Sequence, residues 1–407
     1  MCAARAEMRQ AFIYAGLRTP IGRYGGALSA VRPDDLLAGC IRELAARAPF
    51  APEDYEDVIM GCTSQAGEDA RNVARHAALV AGLPVEVAAQ TVNRLCGSGL
   101  AAVADAARAI AVDQGDLFIA GGVESMSRAP FVIAKAETAF DRRARVYEAL
   151  GERFPNPIVH ERFGRDSMPQ TGDNVAAEHG ITREEADRFA LASQQKYEAA
   201  RARGFFAGEI VPVDVPGRKG AVSRVEADEH PRPQSTLEGL SRLPTLFPGG
   251  VVTAGNASGV NDGAAALIVG AAEAGEKVGA RPLARIATAA VAGVEPRVMG
   301  LGPVPATRKA LARAGLELAD IDVIELNEAF ASQALGCLKL LGIPYDDSRV
   351  NPVGGAIAVG HPLGMSGARI ALTAARQLDE GAGRYALVTM CIGLGQGIAM
   401  ILERTGA

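Results

Sequence analysis

The chain has 407 residues, 48% hydrophobic and 22% charged, with 47 glycines and no tryptophan; this balance predicts a globular protein of two or three domains, with many tight turns and an Ala, Val, Leu and Ile core. A formal net charge of −5, spread without long single-sign blocks, argues against a nucleic-acid groove or an anionic membrane surface as the main partner. Six cysteines (Cys2, Cys40, Cys62, Cys96, Cys337, Cys391) fall in no paired spacing and the five histidines form no HxxxH or CxxC cluster, so neither a disulfide framework nor a metal site is expected, and a reducing cytosol fits.

The opening "MCAARAEMRQAFIYAG" lacks the long apolar region of a secretory signal, and no run approaches the length of a membrane span. Met8, directly before a strand-like run, is an alternative start to Met1. An amphipathic helix near Asp35 to Ala46 leads through "APEDYEDVIMGC" to "NRLCGSGL" (Asn93 to Leu100), which joins a strand-like run to an alanine-rich helix. A strand that turns through glycines into a helix offers the residue at the turn free N–H groups and a dipole that favour an anion. A thiol there is expected to lose its proton more easily than a free cysteine, which suits covalent catalysis in general. A small buried cysteine packed among glycines is the alternative.

From about Glu124 to Ser258 the texture changes to mixed charge and prolines, with one isolated helical segment, "TREEADRFALASQQKYEAARARGFF". This reads as a lid or loop domain on an α/β body. Its basic residues, among them Arg218, Lys219, Arg224 and Arg232, suit a ligand's phosphates, or a merely solvated surface given the nearby acids.

The C-terminal part answers to the first half. A helix near Ala306 to Ala314 leads through "ELADIDVIELNEAF" to "VNPVGGAIAVGHPLGMSGARIALTAARQLDEGAGRYALVTM". Placing Cys96-Gly97-Ser98-Gly99 over Gly364-Met365-Ser366-Gly367 makes the following helices coincide. Each half therefore reads as alternating helix and short strand with a mostly parallel sheet. Facing halves bring strand ends together, where such sheets place their sites. Three motifs lie there. Asn327, after the strand "IDVIEL", can hold a water or an oxygen, or cap the next helix. His361, alone among the histidines in a glycine-dense loop, is a candidate to activate Cys96 or a structural residue. Cys391 precedes alternating glycines whose N–H groups can face an oxyanion, or simply form a hairpin.

In this order the motifs resemble the thiolase family over essentially the whole chain. The resemblance implies an α/β thiolase fold: two duplicated βαβαβαββ-type halves in a layered α/β/α/β/α body with an inserted loop domain. The implied division is 1–124 with 259–280 for the N-terminal half, 125–258 for the insertion and 281–407 for the C-terminal half. It implies that Cys96 accepts the acyl group and that His361 activates it. Asn327 then completes the first oxyanion site through a water, Cys391 exchanges the α-proton, and the N–H groups of Cys96 and Gly393 form the second oxyanion hole. Met168, Arg232, Ser258, Ala329 and Phe330 are implied to bind coenzyme A, which is a substrate; no cofactor and no metal is expected. Two departures stand out: Ser167 where histidine often precedes the methionine, and Leu394 where glycine is common.

"GRYGGALSAVRPDDL", "QAGEDARNVAR", "ESMSRAPFV" and "TMCIGLGQGIAMILER" look most like the β-ketoadipyl-CoA (3-oxoadipyl-CoA) thiolases of aromatic-compound degradation. The substrate's distal carboxylate calls for a cation, with Arg94, Arg128 and His160 as candidates. A general acetyl-CoA C-acetyltransferase is the runner-up, followed by a non-catalytic acyl-CoA-binding protein and a cysteine hydrolase. The resemblance also implies a cytoplasmic homo-oligomer, a dimer or a dimer of dimers.

Overall fold

The computed structural model describes residues 8–69, 71–148 and 150–406. Cys2 and Met1 lie outside them. The helices that position the site are α1 (Pro33–Arg47), α2 (Val73–Ala81), α3 (Ser98–Ala111), α4 (Met168–His179), α5 (Arg183–Ala202), α6 (Pro303–Ala314), α7 (Ala331–Leu341) and α8 (Leu363–Asp379). The first half-sheet contains β1 (Ala11–Arg18), β2 (Asp57–Gly61), β3 (Ala88–Val92), β4 (Leu117–Ser125) and β5 (Asn261–Ala271), in the order β3-β2-β4-β5-β1. The second contains β6 (Ala284–Gly293), β7 (Val323–Leu326), β8 (Tyr385–Ile392) and β9 (Gln396–Arg404), in the order β7-β8-β9-β6. An antiparallel seam, with Phe12 opposite Arg285, joins β1 to β6 and makes the two halves one sheet.

The duplication holds pair by pair. β2 runs parallel to β4, as β7 does to β8. β4 runs antiparallel to β5, as β8 does to β9. β5 runs antiparallel to β1, as β9 does to β6. β3 lies parallel beside β2, and in the second half this strand is reduced to the parallel bridge Ile324–Val350. The sheet is therefore mixed, not mostly parallel. The last two strands of each half are not separated by a crossover helix, which parallel pairing requires. A tight hairpin joins β8 to β9, and the whole insertion lies between β4 and β5.

α3 and α8 cross in the middle of the molecule. A Cβ on Gly99 would lie 2.6 Å from the Gly364 carbonyl oxygen, and one on Gly367 would collide with the Leu100 backbone N. Gly99 and Gly367 are the residues that the repeat superposes, so the crossing lies on the pseudo-twofold relation itself. α8 is buried along nearly its whole length, as befits a helix packed against the strands of both half-sheets. α1 and α2 cover the outer face of the first half and α6 and α7 that of the second, each over its own apolar core.

The insertion carries α4, α5 and the small hairpins Val132–Ile133/Val146–Tyr147 and Val213–Pro216/Val222–Val225. It is fastened to the body by the wholly buried Arg18, which reaches Glu209 at 2.6 Å and Asp228 at 2.7 Å. Tyr197 Oη donates to the same Asp228 at 2.8 Å.

Candidate active site

Cys96 sits in the turn between β3 and α3 and is partly exposed. The turn is tight enough to hold Leu95 at φ 46°, a region that a branched residue enters only under constraint. Ser98 supplies part of that constraint: its Oγ accepts from the Arg94 N–H at 2.9 Å and donates to the Leu95 carbonyl at 2.5 Å. Asn93 Oδ1 accepts from the Leu95 N–H at 2.9 Å. The N–H groups of Gly393 and of Cys96 itself lie against the sulfur and favour its anion, yet burial dominates and pushes the thiol up to about 11. Desolvation thus opposes the helix start and the two N–H groups at this thiol.

His361 is also buried, and burial followed by the Arg369 charge lowers its imidazolium to about 3. The ring is neutral and its tautomer can be derived. Nδ1 lies 2.6 Å from Ser366 Oγ, and the single hydroxyl proton of Ser366 goes to the Pro362 carbonyl at 2.8 Å. Nδ1 must therefore carry the ring proton and donate it to Ser366, which leaves the Nε2 lone pair free to receive one. Asn327 Nδ2 approaches that Nε2 at 3.5 Å. The loop is pinned from behind by Asn261, whose Oδ1 accepts from the His361 N–H at 2.9 Å.

Asn327 follows β7 and does not cap α7, whose N-cap is Phe330. Its Oδ1 is buried without a hydrogen-bond partner among the described residues, so this amide has capacity left for a ligand or water. Cys391 is buried in β8, two residues before Gly393 in the hairpin. Its thiol is raised well above the ordinary value by burial, then by Cys96 and Cys337. The motif is a hairpin, and within it the Gly393 N–H lies against the Cys96 sulfur. At Leu394 φ is 62°, the left-handed region glycine fills without cost, which gives the frequent glycine at this place a physical reason.

The residues implied to bind coenzyme A fall into two groups. Ala329 and Phe330 share an apolar cluster with Cys391, the Ser258 N–H donates to the Ala329 carbonyl at 3.0 Å, and Met168 lies beside Gly393 at the start of α4. Ser167 is the N-cap of α4, bonded to Gln170 Oε1 at 2.8 Å. Arg232 stands apart on the exposed surface, its backbone N–H bound to Gln194 Oε1 at 2.8 Å. Of the carboxylate candidates, Arg128 is engaged by Glu68 at 2.5 Å and His160 by Glu152 at 2.6 Å. Arg94 makes only a 3.5 Å contact to Gln396 Oε1. Arg128 and His160 thus each have a carboxylate of the chain as a partner already.

Sequence reasoning missed Ser366, Asn261 and Glu124. The register that places Ser366 over Ser98 was the signal for the first. Asn261 heads an otherwise apolar strand, "NDGAAALIVGA". Glu124 ends β4 and accepts N–H groups from Thr63 and Ser64 at 3.0 Å and from Gly364 at 2.9 Å, tying the Cys96 half to the His361 loop.

A duplicated sheet that brings Cys96 within reach of Cys391, and Asn327 within 3.5 Å of His361, has the parts of an acyl-transfer fold. Residues 11–273 match the thiolase N-terminal domain and residues 280–404 the thiolase C-terminal domain; the chain belongs to the thiolase family. It is 61% identical over 400 residues, 98% of this chain and 100% of the relative, to the 3-oxoadipyl-CoA/3-oxo-5,6-dehydrosuberyl-CoA thiolase of Escherichia coli K12. It is 57% identical to the β-ketoadipyl-CoA thiolase of Pseudomonas aeruginosa, covering 97% of this chain and 99% of that one. Among solved structures, human mitochondrial 3-ketoacyl-CoA thiolase in complex with CoA superposes with a TM-score of 0.90 at 41% identity, covering 98% of this chain and 99% of that one.

Proposed function

We propose that the protein cleaves β-ketoadipyl-CoA with CoA to give succinyl-CoA and acetyl-CoA, through a thioester on Cys96. What supports the chemistry is a neutral imidazole whose proton is fixed on Nδ1, with Asn327 at its Nε2, together with two thiols, Cys96 and Cys391, within electrostatic reach of one another. The substrate reading is supported by the 61% identical relative, whose name includes 3-oxoadipyl-CoA.

Because thiol and imidazole are both neutral at rest, the Cys96 proton passes to His361 Nε2 as the sulfur attacks the substrate's C3 ketone. The C2–C3 bond then breaks, and its electrons form the enolate of acetyl-CoA, held by His361 and Asn327. Cys391 gives its proton to C2 and acetyl-CoA leaves. The Cys391 thiolate takes the proton of an incoming CoA thiol, which attacks the succinyl thioester. The N–H groups of Cys96 and Gly393 hold that oxyanion. Cys96 departs and recovers its proton from His361. Coenzyme A lies along Ser258, Ala329, Phe330 and Met168 in this reading, with Arg232 toward its nucleotide end.

No helix among the described residues is long and apolar enough to cross a membrane. A cytoplasmic homotetramer in aromatic-compound catabolism completes the proposal on family resemblance. The test compares kcat/KM for CoA-dependent cleavage of β-ketoadipyl-CoA and acetoacetyl-CoA. The expected preference for the dicarboxylic ester is about tenfold or more, roughly 1.4 kcal/mol. Equal rates or the reverse preference would instead favour a general acetyl-CoA C-acetyltransferase.

A further inference from the structure

The internal repeat sets Leu95 over Leu363 and Ser98 over Ser366, yet the two halves treat this place differently. In the second half α8 begins at Leu363, behind an N-cap Pro362 at φ −64°. In the first half α3 begins only at Ser98. The residues that match the first turn of α8 are therefore unwound, and Leu95 is held at φ 46°. The duplicated architecture accommodates a regular helix start here, so the strain at Leu95 belongs to the cysteine half alone. A bulky residue stays in the left-handed region only where its surroundings over-determine it.

Those surroundings are on both sides of the turn. Ser98 is buried, and its Oγ accepts from the Arg94 N–H at 2.9 Å and donates to the Leu95 carbonyl at 2.5 Å, while Asn93 Oδ1 accepts from the Leu95 N–H at 2.9 Å. Its counterpart Ser366 donates to the Pro362 carbonyl at 2.8 Å and meets the His361 ring at 2.6 Å, so in each half the serine at this place fastens a loop of the site. The turn also packs closely on the β8–β9 hairpin. A Cβ on Gly97 would lie 2.6 Å from Ile392 Cδ1, and one on Gly393 would lie 3.3 Å from Leu95 Cδ1. A Leu95 methyl thus covers the Gly393 backbone. The peptide that Leu95 shares with Cys96 carries the Cys96 N–H, and because that peptide is planar the φ and ψ of Leu95 aim it.

We infer that Leu95 is the positioning residue of the second oxyanion hole: its left-handed backbone, locked by Ser98, aims the Cys96 N–H, and its side chain braces Gly393, the other donor. This deepens the thioester mechanism proposed above and rests on it, whichever acyl group is carried. Donors stabilise an oxyanion most when they are fixed before the charge develops. Asparagine enters the left-handed region readily, whereas a β-branched residue there is a genuine outlier. Leu95→Asn therefore keeps the turn although it is polar, and Leu95→Val opens it although it is apolar.

The experiment takes the full-length enzyme and its Leu95→Asn, Leu95→Val and Ser98→Ala variants through two assays on acetyl-CoA. Exchange of labelled CoA into acetyl-CoA passes through the thioester on Cys96 and uses the second oxyanion hole. Exchange of the C2 hydrogens with deuterated water uses Cys391 and the enolate site at His361 and Asn327. Leu95→Val is expected to lose about 100-fold in CoA exchange, the scale of one oxyanion donor, and Ser98→Ala about tenfold, the scale of the two hydrogen bonds it removes. C2 exchange should stay within about threefold of wild type in every variant, which also reports an intact fold. Leu95→Asn is expected to lose less CoA exchange than Leu95→Val, the reverse of the order that apolar packing on Gly393 alone would give. Valine equal to or better than asparagine, equal losses in both assays, or no loss in either overturn the inference, while CoA exchange by the wild type preserves the thioester reading. A wild type without CoA exchange removes both.

Discussion

Cys391→Ala is expected to remain acylated at Cys96 by acetyl-CoA while losing carbon–carbon bond cleavage by about 10³-fold, the scale of a positioned proton donor. The distinction follows from the two thiols' surroundings. Cys96 lies against the Gly393 and Cys96 N–H groups, and its proton has a destination in His361, whose Nε2 is left free by the Ser366 contact. Cys391 is fully enclosed and raised well above the ordinary thiol value, so at rest it holds its proton and can donate it to an enolate. Loading the enzyme from acetyl-CoA expels CoA as a thiolate, which depends far less on the Cys391 proton than the enolate carbon released in cleavage does. Cys96→Ala, by contrast, should lose both reactions by about 10⁴-fold or more. Rapid-quench measurement of thioester formation beside steady-state thiolysis separates the two. Equal loss of both reactions in Cys391→Ala would contradict the division of labour.

The largest stability effect is expected at Arg18, far from the chemistry. Arg18→Met should lower stability by about 3–5 kcal/mol, the range for stripping one partner from a buried ion pair. Arg18 is wholly buried between Glu209 and Asp228, both from the insertion, and a Phe206 ring lies 5.5 Å from its guanidinium. Without it two buried carboxylates face each other and the insertion loses its anchor to β1. A triple variant, Arg18→Met with Glu209→Gln and Asp228→Asn, should recover part of the loss, since the two buried carboxylates no longer face each other, although Arg376 then loses its 3.5 Å partner Glu209. Denaturant midpoints of the three proteins check this. A single variant within about 0.5 kcal/mol of wild type would show the anchor to be dispensable.

Much of this was legible in the chain because the signals were local. Cys96, Asn327 and Cys391 each end a short apolar run before a turn, and the repeat that places Gly99 over Gly367 matched the two helices that the structure packs together at those glycines. What was not legible depends on residues distant in sequence. Arg18 meets Glu209 and Asp228 across separations of 191 and 210 residues, and Arg128 is neutralised by Glu68 across 60. The desolvation at the Cys96 thiol was hidden for the same reason. A helix start is visible in eight residues, whereas the desolvation that opposes it depends on the tertiary surroundings of the turn. The mixed sheet was missed because alternation of helices and strands shows the order of elements and not the direction of the last strand in each half.

The central claim is that Cys96 takes the succinyl group of a dicarboxylic 3-oxoacyl-CoA, and intact-protein mass spectrometry tests it most directly. The wild-type enzyme is mixed with β-ketoadipyl-CoA without free CoA, quenched in acid, and the modified peptide is mapped. One succinyl group on Cys96, with one acetyl-CoA released per site, is the predicted result. No adduct, or an adduct carried by Cys391 instead, would contradict the account.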